Sequence, residues 1–348
     1  MTDARLLSVI VPAHEAAAWL PDTLAALAAS SLPRSMWELL VTDDASHDDT
    51  AAVAARWADL VIRLPSPAVG PGGARNAAAS RATGRWLVFV DADVRVHHDT
   101  LARFAAAVTD DPDLVALFGS YDAEPAARGV VSEYRNLLHR YVHLRGAGVA
   151  ETFWAGCGAV RRDAFEAVGG FDTARYPRPQ IEDIDLGYRL RDRGGRIRLD
   201  PAIQATHLKR WRLWPMLQTD FRDRGLPWMQ LLLERRTLAR PSLNIGRGEQ
   251  WRVALAGVAM LTLAAWPVWG GRALLVATAA CWIALALANL EVYRWFRRER
   301  GLGFALRVIP LHLAYYASNA FAAAVGILQY LLGGQRTAGD SRPDGAPR

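Results

Sequence analysis

Apolar residues in this chain fall into two regimes. Short unbroken runs alternate with helical repeats up to about residue 207, and long uncharged stretches follow residue 250. Leu6–Val11 is nearly all apolar and is stopped by Pro12, which predicts a strand buried on both faces of a sheet. Trp19–Ser30 carries Leu20, Leu24 and Leu27 at helical spacing, with Pro21 in the first turn, where proline is tolerated. Trp37–Val41 predicts a second strand, Ala51–Trp57 a helix and Asp59–Leu64 a third strand. Gly70–Asn76 opens another helix, and Trp86–Val90 is a further buried strand. Strands alternating with helices predict an α/β fold with a doubly wound, mostly parallel sheet. The pattern continues with helices over 100–108, 129–146, 162–168 and 181–193 and strands over 114–118 and 196–203, which places the end of this domain near residue 210.

Beyond that point the composition changes. Residues 211–250 mix Trp211, Trp214, Phe221, Trp228 and Leu231–Leu233 with many arginines, a composition suited to helices lying in a membrane interface. Three uncharged segments follow, at about 253–269, 273–290 and 310–332, the last entered after Pro310. About 20 apolar residues cross a bilayer core, so an all-α membrane region of three spans is expected. The final residues, 334–348, are polar with Gly and Pro and are expected to be disordered.

Charge sharpens this division. The net +6 combines an acidic balance over residues 1–204 with a basic excess beyond them. Basic charge that flanks apolar segments suits an anionic lipid bilayer and not nucleic acid. Arg294, Arg297, Arg298 and Arg300 lie between the second and third apolar segments, so the positive-inside rule expects that loop on the cytoplasmic side. With no signal peptide ahead of Leu6, the N-terminal domain is expected to be cytoplasmic too, on the inner face of a plasma membrane crossed several times. Two cysteines, Cys157 and Cys281, make neither a disulfide framework nor a metal knuckle.

Candidate chemistry gathers at strand ends. Trp86–Val90 runs straight into Asp91-Ala-Asp93, and ligands of open α/β sheets bind just beyond such carboxyl ends. Two hard oxygen ligands there suit Mg²⁺ or Mn²⁺ and, through the ion, a diphosphate. Capping aspartates are the alternative reading of so short a pattern. Asp43-Asp44 ends another strand, Glu182-Asp183-Ile184-Asp185 opens a helix, and His207 with Arg210-Trp211 closes the domain.

The order and spacing of these clusters resemble the family-2 glycosyltransferases, inverting enzymes with the nucleotide-diphosphosugar fold called GT-A. The resemblance covers about residues 6–211. It rests on Ser8–Ala13, Asp43–Thr50, Ala74-Arg75-Asn76, Val90–Asp93, Val168–Asp172 and Glu182–Leu190. It implies that Pro12, Ala13 and Glu15 lie in the loop against the nucleotide base, with Asp43 or Asp44 on the base or ribose. Arg75 would reach the nucleotide, and a surface charge is the alternative. Asp91 and Asp93 would hold the metal that bridges the diphosphate, with His207 completing the site or serving only as a structural histidine. Asp183 would be the catalytic base with Glu182 beside it, and Asp185 a cap or ion pair. Arg210 and Trp211 would contact substrate.

Some positions depart from the family's pattern. His14-Glu15 replaces the usual Tyr-Asn or Asn-Glu. His207-Leu-Lys-Arg-Trp211 stands where processive synthases carry Gln-x-x-Arg-Trp, and Val94-Arg-Val-His97 follows Asp93 where lipid-phosphate transferases read Leu-Gln-His-Pro. The expectation is a membrane-anchored, metal-dependent transferase moving a sugar from a nucleotide-diphosphate sugar to a lipid-linked or membrane-embedded acceptor. A processive synthase of the cellulose or hyaluronan type, a polyprenyl-phosphate transferase and a non-catalytic nucleotide-sugar scaffold are the rivals. Gly156-Cys157-Gly158 falls where the family builds its acceptor pocket, and a nucleophilic role for Cys157 is not expected. His139 and His143, one helical turn apart, are expected to touch membrane or acceptor.

Overall fold

In a computed structural model, residues 5–237 and 246–332 are described. The expected tail, 334–348, and residues 238–245 of the interfacial stretch lie outside them. The chain begins with β1 (Leu7–Ala13), α1 (Leu20–Ala28), β2 (Trp37–Asp44), α2 (Thr50–Ala54) and β3 (Leu60–Leu64). Next come α3 (Gly70–Ala79), β4 (Trp86–Val90), β5 (Val94–Val96), α4 (Thr100–Asp110) and β6 (Leu114–Tyr121). The domain continues with α5 (Val130–Arg145), β7 (Gly148–Ala150), β8 (Cys157–Arg161), α6 (Arg162–Ala167), α7 (Glu182–Asp192) and β9 (Arg196–His207).

The strands form one sheet in the order β3-β2-β1-β4-β8-β6-β9-β5, with β7 also paired to β9. Its first half, β3-β2-β1-β4, is parallel, as the alternation of runs and repeats predicts. The other half is mixed, because β8 enters antiparallel between β4 and β6, and β5 and β7 lie antiparallel to β9. β5 and β7 have three residues each, too few for a periodic signal. Burial on both faces explains the continuous apolar run of β4: Trp86, Val88 and Val90 enter one core with Leu20, Leu24 and Phe104. Leu87 and Phe89 enter the opposite core with Phe118, Phe153 and Phe171.

Helix α7 approaches the segment before β8 unusually closely. A β-carbon at Gly187 would stand 2.4 Å from the Phe153 backbone nitrogen. Gly187→Ala is therefore expected to push α7 outward and to cost about 1–3 kcal/mol. A chemical denaturation midpoint that does not move would contradict this packing account.

After β9 the chain turns into an arm. A short helix α8 (Leu213–Gln218), a π-helical segment (Thr219–Gly225) and α9 (Leu226–Arg235) follow one another without a break. Leu231 of α9 packs with Tyr176, Ile181 and Tyr188, so the arm lies directly against α7. Arg175–Glu234 and Arg235–Asp192 ion pairs fasten the same contact. The remaining helices are α10 (Arg247–Trp269), α11 (Arg272–Ala288), α12 (Leu290–Arg300) and α13 (Leu302–Leu332).

Two of these, α10 and α13, are long and apolar enough to cross a membrane, and α11 with α12 makes a third candidate only if a pair bent by 57° counts as one span. Two expectations are refined here. The last segment does not begin at Pro310, because α13 starts at Leu302 and runs through that proline, which membrane helices tolerate. Arg294, Arg297, Arg298 and Arg300 do not form a loop. They lie on α12, whose buried Val292, Tyr293 and Phe296 pack with Tyr134 and Leu137 of α5. Arg300 also pairs with Glu133 of α5 at 2.9 Å, so these arginines sit on the same side of the apolar helices as the α/β domain.

Candidate active site

The chain crosses from β3 back over β1 to β4, so the strand order reverses beside β1, the usual place for a ligand crevice. Two adjoining cavities open there. One, of about 690 Å³, is lined by Pro12, Ala13, Asp44, Arg75, Asp93 and Asp183 among others. The second, of about 490 Å³, adds His207, Lys209 and Trp211 to Asp91 and Asp93.

On the β1–β2 side the loops are tightly drawn. Glu15 and Ala45 take left-handed backbone conformations, with φ of 48° and 58°. The His14 imidazole meets the Asp44 carbonyl at 2.6 Å. The Asp44 carboxylate accepts hydrogen bonds from Val69 N–H and Gly70 N–H (2.9 and 2.8 Å), fixing the start of α3 beneath the cleft. Asp43 turns away: it accepts Ser46 N–H and lies 3.6 Å from Arg63, outside the cleft lining. Glu15 also stays outside, bonded to His47. Of the two base-side candidates at the end of β2, only Asp44 lines the cavity.

Arg75 is no surface charge. Its guanidinium is buried and bridges Asp91 (2.6 Å) and Glu182 (3.1 Å), joining the end of β4 to the start of α7. Its Nε is buried without a partner. Asp91 therefore spends one oxygen on Arg75. Asp93, two residues on, faces His207 instead, with 3.6 Å between its Oδ2 and Nε2. Sheet register sets this meeting: Val94 pairs with His207 across β5 and β9, and Leu208 N–H donates to the Asp93 carbonyl at 2.9 Å. Burial opposes the Asp93 charge, yet the adjacent His207 and Lys209 hold its carboxyl below the ordinary range.

Those two side chains offer an oxygen and a nitrogen donor to a divalent metal. A carboxylate and an imidazole converge from adjoining backbone, and His207 Nδ1 is buried with no partner while Nε2 faces Asp93. No cluster of three or more His, Cys, Asp or Glu able to hold a metal occurs among the described residues. Two protein donors fit an ion whose remaining positions are filled by phosphate oxygens and water, the usual manner for Mg²⁺.

Asp183 and Glu182 open α7 and line the same cavity. Asp183 accepts Ala155 N–H (3.1 Å) and its neighbour Ile184 N–H (2.8 Å). Burial, then the charge of Glu182, raises its carboxyl to about 7, with the two backbone N–H groups and Arg75 pulling the other way. Asp185 makes an ion pair with Arg189 at 2.7 Å, the structural alternative for that residue.

Several lining residues escape a reading of the sequence. Arg210 is exposed and outside both cavities, and Lys209, the one lysine of the chain, lines them in its place. Trp154 also lines both, its ring folded over Gly156, where a β-carbon would stand 2.6 Å from the indole. His139 and His143 line the cavity. Their rings lie 3.9 Å apart inside the cavity wall, against Trp154 and Phe118. Burial pushes His143 down to about 4 and His139 well below the ordinary imidazole value, so both are neutral near pH 7. Cys157 is buried and its thiol is pushed up to about 12, chiefly by that burial, which suits no nucleophile.

A crevice at the switch point of a parallel sheet, with two carboxylate pairs joined by a buried arginine, is where open α/β sheets bind their ligands. Residues 8–169 match the family model described as glycosyl transferase family 2, and this part of the chain is a glycosyl transferase family 2 domain. Poly(ribitol-phosphate) beta-N-acetylglucosaminyltransferase TarS of Staphylococcus aureus is 33% identical over 108 residues, 30% of this chain and 19% of that protein. The UDP-Glc:alpha-D-GlcNAc-diphosphoundecaprenol beta-1,3-glucosyltransferase WfgD of Escherichia coli is 38% identical over 95 residues, 26% of this chain and 36% of that protein. The probable glycosyltransferase YdaM of Bacillus subtilis is 22% identical over 233 residues, 62% of this chain and 54% of its own length. The matched regions thus span less than two thirds of each of these relatives. A solved structure of mannosyltransferase PcManGT from Pyrobaculum calidifontis, in complex with GDP-Man and Mn2+, aligns over 95% of this chain and 89% of its own. Its TM-score is 0.50 at 20% identity, a likeness of fold alone.

Proposed function

We propose that this protein is an inverting glycosyltransferase, held at a membrane by its C-terminal helices, that moves a sugar from a nucleotide-diphosphate donor to a lipid-linked acceptor. The observation that carries the reading is that Asp93 and Asp183 line one cavity, with His207 facing Asp93 and the buried Arg75 tying Asp91 to Glu182. The donor's base would lie against Pro12, Ala13 and Asp44, and its diphosphate would lie toward Asp93, Arg75 and Lys209. Asp93 and His207 would hold Mg²⁺ or Mn²⁺, and Asp91 would add its second oxygen. The ion supplies charge neutralisation on the departing diphosphate.

The chain's own residues account for the rest. A hydroxyl acceptor attacks the anomeric carbon, a new carbon–oxygen bond forms, and the bond to the diphosphate breaks with its electron pair leaving on the nucleotide. Asp183 takes the hydroxyl's proton. A phosphate acceptor, already ionised, leaves Asp183 only the task of positioning it. A single displacement inverts the anomeric centre. The likeness to WfgD, a glucosyltransferase acting on GlcNAc-diphosphoundecaprenol, and to TarS, a poly(ribitol-phosphate) N-acetylglucosaminyltransferase, supports a cell-envelope role. The arginines of α12 lie on the domain's side, and that supports a cytoplasmic catalytic domain.

The pH profile follows from Asp183. Turnover is expected to rise with pH through about 7 as that carboxyl ionises. For stability the sign is opposite. A carboxyl raised in the fold contributes fully below its unfolded value near 4 and loses that contribution as pH climbs through about 7. A flat rate profile from pH 5 to 9, measured with a hydroxyl acceptor, would exclude Asp183 as the base. The whole reading is tested by mass spectrometry of the lipid fraction after incubation with a panel of nucleotide sugars. One new glycolipid and released nucleoside diphosphate are expected. A polymer ladder points instead to a processive synthase, and no product with any donor removes the transferase reading.

A further inference from the structure

A third cavity, of about 570 Å³, lies between the α/β domain and the apolar helices. Its outer wall is built from Val253, Ala254 and Gly257 of α10 and Ala320, Ala323 and Ala324 of α13, the two helices apolar and long enough to span a bilayer. Its inner end is shared with the catalytic cleft, because His139, His143, Arg224 and Trp228 line both. The donor cleft therefore continues, past a cationic side chain, into an apolar slot at the level of the membrane helices.

Charge at that junction is asymmetric. Arg135 is neutralised by Asp220 at 2.7 Å, and Arg178 lies 3.5 Å from Asp223. Arg224 faces all three cavities and, among the described residues, has no carboxylate partner. It sits in the π-helical segment Thr219–Gly225, the kind of helical irregularity often found at functional sites. Gly225 next to it lets the segment press on α13, since a β-carbon there would meet Ala322 at 2.9 Å.

We infer that this slot binds the hydrocarbon chain of a single-tailed lipid phosphate, the acceptor, with the phosphate held at the junction by Arg224. The inference rests on the transferase reading above and adds where the acceptor lies and what chemistry it has. A slot of this size holds a ligand of roughly drug-like dimensions, which matches the first units of one hydrocarbon chain lying between α10 and α13. The carboxylates of its lining are paired, Asp220 with Arg135 and Glu249 with Arg252, and the neutral His139 and His143 add no charge. A tail lying between α10 and α13 keeps its far end in the bilayer while the head reaches the face of the cleft that carries Asp183.

The test uses the full chain in lipid nanodiscs with a diazirine-bearing polyprenyl phosphate, a diazirine-bearing phosphatidic acid and butyl phosphate as probes. Photolabelling by the polyprenyl probe is expected on α10 and α13 around Gly257 and Ala323. Ala254→Phe and Ala324→Phe, which touch only this slot, are expected to weaken that labelling by about tenfold, the worth of roughly two excluded methylenes. Both should leave donor binding unchanged. Arg224→Gln is expected to weaken polyprenyl labelling while leaving the fold intact by circular dichroism. Labelling of the lipid-facing surface only, or no effect of either phenylalanine, overturns the slot. Equal labelling by phosphatidic acid overturns the single tail, and equal use of butyl phosphate overturns the need for one. Because photolabelling needs no turnover, a slot that labels in a protein without transferase activity separates failure of the functional reading from failure of this one.

Discussion

Asp183→Asn is expected to lower transfer to a hydroxyl acceptor by roughly 10²–10⁴-fold, the usual worth of a positioned base. The substitution keeps the size of the side chain and one oxygen to accept the Ala155 or Ile184 N–H. It removes a charge that burial and Glu182 both disfavour, so the variant should be no less stable than the parent above pH 7. Donor affinity should hold, since the substitution leaves Asp93, His207 and Arg75 in place. The loss should therefore appear in kcat and not in KM for the nucleotide sugar. With an acceptor that is already an anion, the loss should be smaller, because no proton has to move. A variant that retains more than a tenth of parental kcat with a hydroxyl acceptor would show that the base lies elsewhere.

Asp93→Ala should be the second large loss, about 10²–10³-fold, comparable with removing one group that stabilises developing negative charge. Asp91 is the less sensitive of the pair, because one of its oxygens already serves Arg75. Among the described residues Asp93 has no arginine partner, and it faces His207. The parent should need Mg²⁺ or Mn²⁺, and Asp93→Ala should raise the Mn²⁺ concentration required for any residual activity. His207→Gln should move the same titration by a smaller amount. Metal-independent turnover by the parent, after chelation and dialysis, would remove the ion from the scheme and leave Arg75 and Lys209 to neutralise the leaving group.

The parallel half of the sheet is legible in the sequence because its strands are buried on both faces and so read as unbroken apolar runs, Leu7–Val11 and Trp86–Val90 above all. The carboxylates that end them are legible for the same reason: they interrupt the run. The mixed half is less so. β5 and β7 are too short for any period, and β8 carries Gly158 within a short apolar stretch. Arg75 is placed by a helix that shows no surface signature of burial, and the two ion pairs holding it come from residues 16 and 107 positions away. Whether Lys209 or Arg210 faces the cleft depends on how the chain leaves β9, which composition does not record. The slot beside α13 is further still from the sequence. Its walls come from residues near 139, 224, 254 and 320, none of which carries a motif.

The pairing of Val94 with His207 has a consequence for engineering and for evolutionary drift. Strand side chains alternate in direction, so inserting or deleting one residue between Arg196 and His207 would swing the imidazole to the opposite side of the sheet. Lys209 and the whole arm would shift with it. Loops elsewhere around the cleft can change length and merely reshape a pocket, but β9 must be inherited as a unit of fixed count. Chimaeras with related chains should therefore be joined on either side of β9 and never within it.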